Sequence, residues 1–267
     1  MTTLLHRRYE PRALGDLVRS APRPATLTDD HRRSLAGRFR ALGTLEHRRL
    51  DAWAVEHAGR SSDDFQWSAT TARRLLGNAG LRRATLAPGT SLLDAVRDEI
   101  ADQLIRATSG HARAGSLARW LSDAPHAVIG VVSAEALNWA AQLHECAETI
   151  ATPWSIAASD AYYDVALART TLRARRDLVV ALDEHRVVIR VRSGAPGKSA
   201  GPGLRADLVI DALADPEGQA PARMIGLWPA AGVCLAVDAT MDDLRAGARD
   251  LVRTAVAQQR ARAARAA

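Results

Sequence analysis

Thr171–Gly194 reads TLRARRDLVVALDEHRVVIRVRSG: two β-branched runs, DLVVAL and RVVIRV, flank the acidic pair Asp183-Glu184. Short Val/Ile-rich runs on either side of a polar turn predict a β-hairpin. That pairing sets Asp177 opposite Arg190 and Arg192. Along the second strand, alternation assigns Val187, Ile189 and Val191 to a core face. Val188, Arg190 and Arg192 then share the other face, turned toward solvent or a cleft.

Working outward, the chain changes character near Pro153. Downstream, a helix is expected over Ala158 to Ala168, then the hairpin, then a Gly/Pro loop (SGAPGKSAGPG). LRADLVIDALA reads as a helix, ARMIGLW and GVCLAV as strands, and Thr240 as the cap of a last helix with Leu244, Ala248, Leu251 and Ala255 on its apolar stripe. Upstream the pattern is mainly helical. Asp29 and Asp30 are expected to cap a helix reaching through Leu35, Phe39, Leu42 and Leu45 to Leu50. Ser68 would cap TTARRLLG, stopping at Gly77-Asn78. Ser91 heads the cleanest periodicity, Leu92, Val96, Ile100 and Leu104. Ser116 opens a short helix, HAVIGVV is an apolar run, and Ser133 starts a further helix. The predicted class is α/β (α+β), with a mainly helical region over 1–150 and a mixed sheet flanked by helices over 151–267.

Composition bounds the function. Of 267 residues, 47% are hydrophobic and 25% charged, an ordinary soluble balance. No run approaches the ~20 apolar residues of a membrane span. The start, MTTLLHRRYEPRALGDL, has no apolar signal core, so a cytoplasmic location and no membrane partner are expected. Cys146 and Cys234 belong to no CxxC pair, which argues against a disulfide framework or zinc knuckle. The formal charge is +6, but Lys198 is the only lysine and the excess is spread evenly. Residues 151–267 hold 16 bases and 13 acids, and residues 1–150 hold 20 and 17, so there is no basic arm. Net charge permits nucleic-acid binding without arguing for it.

An aspartate facing positions i and i+2 of the next strand is the skeleton on which metal nucleases hold Mg²⁺ and a water-positioning cation. From about Ser155 to Arg260 the chain resembles the PD-(D/E)XK nuclease superfamily, in particular its RecB-like branch attached to helicases and recombination machines. Arg175-Arg176-Asp177 falls where that family has "G-R-x-D", and Arg190-Val191-Arg192-Ser193-Gly194 where it has "D-x-K-T-G". Leu204 to Ala214 takes the place of the following helix, with Arg205 near its Gln position. Gly43-Thr44-Leu45-Glu46-His47 matches the branch's "G-T-x-x-H" string. The resemblance implies a restriction-endonuclease-like fold, with Asp177 and His47 as metal ligands. The departures imply a degenerate one, because Arg190 reverses the charge of a metal-binding carboxylate and Arg192 replaces the lysine.

Three functions follow. The first is a non-catalytic DNA-binding or scaffold protein of DNA repair, recombination or defence. It needs no cofactor, its phosphate contacts fall to Arg176, Arg190, Arg192 and Arg205, and DNA or a helicase is its partner. The second is an active nuclease using Mg²⁺ at Asp177 and His47, its missing acid supplied by Glu184, Asp207 or the helical region. The third is a protein-interaction module without DNA affinity, carrying an apolar patch on residues 1–150. Under a plainer reading, Arg190 and Arg192 are a solvated strand face with Asp177 bonded to one of them.

Other motifs are weaker. GAPGKS, Gly194 to Ser199, lacks the first glycine of a phosphate loop (Arg192 stands there), and Ala200-Gly201-Pro202-Gly203 predicts no helix directly after it. Asp238 ends a strand, as in a Walker B motif, or helps cap the next helix. Arg73, Arg74, Arg82 and Arg83 suggest a recognition helix or a wet basic face. Trp228 is expected in the sheet core, with Trp67 and Trp120 packing beside helices.

Overall fold

The computed structural model describes residues 4–8, 11–23, 26–42, 48–57, 69–87, 89–109, 115–150, 155–158, 162–167, 170–182, 185–192, 195–215, 219–228 and 231–266. In chain order its elements are β1 (Leu4–Arg8), α1 (Pro11–Arg19), α2 (Asp29–Arg40), β2 (Arg48–Leu50), α3 (Ala52–Glu56), α4 (Ala69–Leu86), α5 (Leu92–Thr108), α6 (Ser116–Asp123) and α7 (His126–Ile150). They continue with β3 (Ser155–Ala158), β4 (Tyr162–Leu167), β5 (Thr170–Arg175), β6 (Leu178–Leu182), β7 (His185–Val191), α8 (Ala200–Ala214), β8 (Arg223–Trp228), β9 (Val233–Asp238) and α9 (Met241–Ala266). The fold is mixed α and β.

The β-branched runs form the expected hairpin: β6 and β7 pair antiparallel, Val180 opposite Val187 and Leu178 opposite Ile189. α8 then carries the chain to β8, which lies parallel to β7 with Arg190 opposite Gly226. The six-stranded sheet runs β1-β9-β8-β7-β6-β3, and a small sheet runs β2-β5-β4.

Helices cover both faces of the large sheet. Val187, Ile189, Val191, Ile225 and Leu227 join a core with Leu14, Leu76, Leu121, Leu143 and other residues of α1 and α4 to α7. Val188, Met224, Trp228 and Val237 join a second core with α8, α9, α2 and the small sheet. The expected two-faced β7 is corrected by this: as a central strand sandwiched between helix layers it buries both faces, Arg190 included. Both cores draw on both halves of the chain, and β1 pairs with β9. The boundary at 150 therefore marks a change in composition rather than a division of packing.

Several helix expectations change for local reasons. α2, capped by Thr28 instead of Asp29 or Asp30, ends at Arg40, and Leu50 lies on β2 beside Leu172; Leu45 is outside the described residues. α4 runs through Gly77-Asn78, because the missing side chains let helices touch. A Cβ on Gly77 would fall 2.7 Å from the Ala136 carbonyl oxygen of α7, and one on Gly80 would fall 2.4 Å from Val96 of α5. α7 is continuous from His126, and the Ser133 hydroxyl turns back to donate to the Ile129 carbonyl at 2.7 Å. The helix expected over 158–168 is replaced by β4, whose Tyr162, Tyr163 and Val165 suit a strand and pair along β5. Ser91 caps α5 as expected, its hydroxyl accepting from the Asp94 amide at 3.1 Å. Trp228 is buried in the second core and Trp120 packs against the first, whereas Trp67 and Ser68 lie outside the described residues.

Candidate functional site

Arg175-Arg176-Asp177 forms the corner where the chain leaves β5 of the small sheet and enters β6 of the large one. The Asp177 amide donates to the Ile189 carbonyl at 3.3 Å, and its carboxylate turns back across β7. Asp177 Oδ2 accepts the Val191 amide at 2.8 Å and lies 3.5 Å from Arg190 Nε. Oδ1 accepts from Asn78 Nδ2 at 2.9 Å and lies 2.5 Å from Arg175 Nη2. Asn78 is itself held by α7, its Oδ1 accepting from Trp139 Nε1 at 3.1 Å. A buried charge needs this kind of saturation, since burial without partners is strongly unfavourable.

The two β7 arginines face α8 and α3. Arg190 Nη1 donates to Asp207 Oδ1 at 2.7 Å, and Arg192 Nη2 donates to Asp207 Oδ2 at 2.9 Å. Arg192 also grips Glu56, with Nη2 2.9 Å from Oε1 and Nη1 donating to Oε2 at 3.3 Å. Gly203 makes room for that carboxylate: a Cβ there would lie 2.1 Å from Glu56 Oε1. Ser199 Oγ donates to the Glu56 carbonyl at 2.8 Å, tying α3 to the head of α8. Three guanidinium groups (Arg175, Arg190, Arg192) thus meet four carboxylates (Asp51, Glu56, Asp177, Asp207) inside the fold.

Burial pushes the Asp207 carboxyl above its usual range, and Arg190 and Arg192 pull it back. Glu56 is raised by burial against the opposing pull of Arg192. Asp51 is raised the same way, although the Ala54 amide donates to it at 2.8 Å.

The remaining expected phosphate contacts are also paired. Arg176 forms a fork on buried Asp211 at 2.8 and 3.0 Å, and Arg186 reaches the same carboxylate at 2.9 Å. Arg205 lies 3.5 Å from Asp250. The expected cleft is therefore corrected. Asp177, Arg190, Arg192 and Asp207 do converge, but Asp177 and Asp207 are 1% exposed and Arg190 is 7% exposed. Hydrogen-bond and ion-pair partners take the place of solvent or phosphate.

Mg²⁺ does not fit this arrangement. It requires free carboxylate oxygens in octahedral geometry. Both oxygens of Asp177 and both of Asp207 are engaged, and Arg190 stands between them. Among the described residues no group of three His, Cys, Asp or Glu is arranged to hold a metal. His47 and Glu184 lie outside the described residues.

The phosphate-loop expectation is corrected in one detail: α8 does begin at Ala200, directly after Lys198-Ser199, since Pro202 falls in the first turn, where its missing N–H is tolerated. The Glu56 carboxylate lies against that turn beside Gly203, and the Ser199 hydroxyl is spent on the Glu56 carbonyl. The Asp238 side chain does not cap the next helix. It receives Arg223 Nε at 2.6 Å, while Thr240 accepts the Asp243 amide at 3.1 Å. Arg73 pairs with Glu135 at 3.2 Å, and Arg83 with Glu99 at 3.3 Å and with Asp102, so this basic face is laced to neighbouring helices.

Sequence reasoning missed Asn78, Trp139, Asp51 and Glu56. The Gly-Asn pair reads as a helix stop, and nothing in the local spacing of Asp51 or Glu56 points to α8. Comparison with known protein families, with curated proteins and with solved structures finds no match.

Proposed function

We propose that this chain is a non-catalytic scaffold protein built on a degenerate RecB-like nuclease domain, acting beside DNA-processing partners in repair, recombination or defence. The observation that carries the reading is Arg190. It sits between Asp177 and Asp207, where a metal nuclease of this pattern would hold its cation, and it neutralises both carboxylates. The order of hairpin then helix, from β6 to α8, is the order the resemblance leads one to expect and supports the same reading.

The test is cleavage of single- and double-stranded DNA with Mg²⁺ or Mn²⁺. No cutting above a metal-free control is expected. Metal-dependent cutting abolished by Asp177→Asn would overturn the reading.

A second reading, a protein-interaction module without DNA affinity, is favoured by the placement of apolar surface. The exposed large hydrophobics among the described residues are Leu86 on α4, Leu93 and Ile105 on α5, and Val131 on α7, all in the helical half. Charged replacements at Leu86 and Ile105 would abolish capture of a protein partner under this reading and leave DNA affinity, absent throughout, unchanged.

A further inference from the structure

Helix α9 buries one side and presents a different chemistry on the other. Leu244, Ala248, Leu251 and Ala255 are fully buried, and Gly247 brings the helix so close to α8 that a Cβ would lie 2.3 Å from the Arg205 carbonyl oxygen. The helix is therefore a fixed rod. Its exposed side carries Arg245, Arg249, Arg253 and Arg260. At 100° per residue these four fall within an arc of about 80°, and at 1.5 Å per residue they span about 22 Å.

Helix stability does not account for this stripe. Arg245, Arg249 and Arg253 follow one another at i, i+4 and i+8, a spacing at which like charges oppose helix formation. Asp242 lies 3.6 Å from Arg245 and Asp250 lies 3.4 Å from Arg253, both pairs strongly solvated on the arginine side. Arg249 and Arg260 have no ion-pair partner among the described residues. The even split of charge between the two halves conceals a local excess, which corrects the expectation of no basic arm: beyond Asp250 the sequence contains no acid through Ala267, while it contains Arg253, Arg260, Arg262 and Arg265. The macrodipole favours cations only in the last turn, and Arg249 is far from it.

We propose that the outer face of α9 binds the phosphate backbone of duplex DNA without reading sequence. A straight line of guanidinium groups about 22 Å long covers about six base pairs of one strand at 3.4 Å each. Among the described residues, the exposed positions of α9 other than the arginines are Asp242, Ala257, Ala261, Ala263 and Ala264. There is no aromatic to stack on an unpaired base, and no large apolar side chain to enter a membrane. Apart from Asp242 at its head, beside Arg245, the face offers cationic hydrogen-bond donors, which is what backbone contact requires. This deepens the scaffold reading by naming the surface that meets DNA, and it depends on that reading only for the identity of the polyanion.

The experiment is fluorescence anisotropy of the full chain with a labelled 25-base-pair duplex, from 50 to 200 mM NaCl. EDTA is present throughout, so that catalysis, which tests the other reading, does not enter. The triple variant Arg249→Gln, Arg253→Gln, Arg260→Gln is expected to lose at least tenfold in affinity at 50 mM. The slope of log affinity against log salt should fall by about 2.7, three phosphate contacts at ~0.9 each. Arg190→Met, which lies in the buried network, should leave that slope unchanged wherever the variant is folded. Wild-type affinity retained by the triple variant would overturn the proposal. So would no duplex binding by the wild type at 50 mM, or tighter binding to duplex RNA or to phosphatidylserine vesicles than to DNA.

Discussion

Two sets of arginines in this molecule share a side chain and little else. Arg175, Arg190 and Arg192 are packed among Asp51, Glu56, Asp177 and Asp207, and each of the three arginines lies within 3.5 Å of at least one of these carboxylates. Arg245, Arg249, Arg253 and Arg260 stand in water along α9. The first set holds layers together and is hidden from any ligand. The second contributes little to the fold and most of what a partner would feel. A formal charge of +6 sums the two and says nothing about which is which.

The sharpest way to break this contrast is to remove one partner inside. Asp207→Ala leaves Arg190 and Arg192 short of their shared carboxylate and should cost about 3–5 kcal/mol in urea denaturation. The double replacement Arg190→Met with Asp207→Leu should cost less than Asp207→Ala alone, because an apolar pair needs no neutralising. A double variant worse than the single would mean that the ion pairs give more than mutual cancellation.

Close approach around the same centre comes next. Gly247→Ala sets a Cβ 2.3 Å from a backbone carbonyl that cannot swing away, and about 1–3 kcal/mol of destabilisation is expected in thermal melts. Gly203→Ala meets the Glu56 side chain instead, which can withdraw only by giving up its pair with Arg192, so a loss of stability is expected there too.

The third effect is in pH. Burial raises the Asp51 carboxyl above its ordinary 3.8, so the fold favours the protonated form. Its contribution is fully present below the unfolded value and is lost as pH rises through the folded one. Asp51→Asn keeps the acceptor for the Ala54 amide and removes the titration. The stability of the variant relative to wild type should therefore grow as pH rises from about 4 toward neutrality. A flat difference between pH 4 and 7 would contradict the assignment. Smallest of all, Arg249→Gln and Arg260→Gln on the outer face should change stability by no more than about 0.5 kcal/mol.

What could be read from the sequence follows from how local each feature is. The β6–β7 hairpin, α5 with its Ser91 cap and the apolar stripe of α9 are written in neighbouring residues. The convergence of Asp177 with Arg190 and Arg192 follows from strand pairing alone. Their burial does not, because the second face of β7 is closed by α8, and Arg192 meets its acid in Glu56, 136 residues away in sequence. Asn78 misled for the same reason: a Gly-Asn pair that stops an isolated helix is here the point where α4 leans on α7 and reaches Asp177. The tyrosines of β4 read as helix only until β5 supplies a partner strand.

The pairing of β1 with β9 has a consequence for the order of folding. Leu4 lies beside Val237, so β1 pairs with a strand made more than 200 residues after it. At the ~5–20 residues per second of translation, β1 waits roughly 12–47 s for its partner to be made. The β6–β7 hairpin and β3 beside it are complete before β9 is made. Contacts of such long sequence separation are slow to form, and until β1 docks, β9 presents an unpaired strand edge, the kind of edge on which another chain can add.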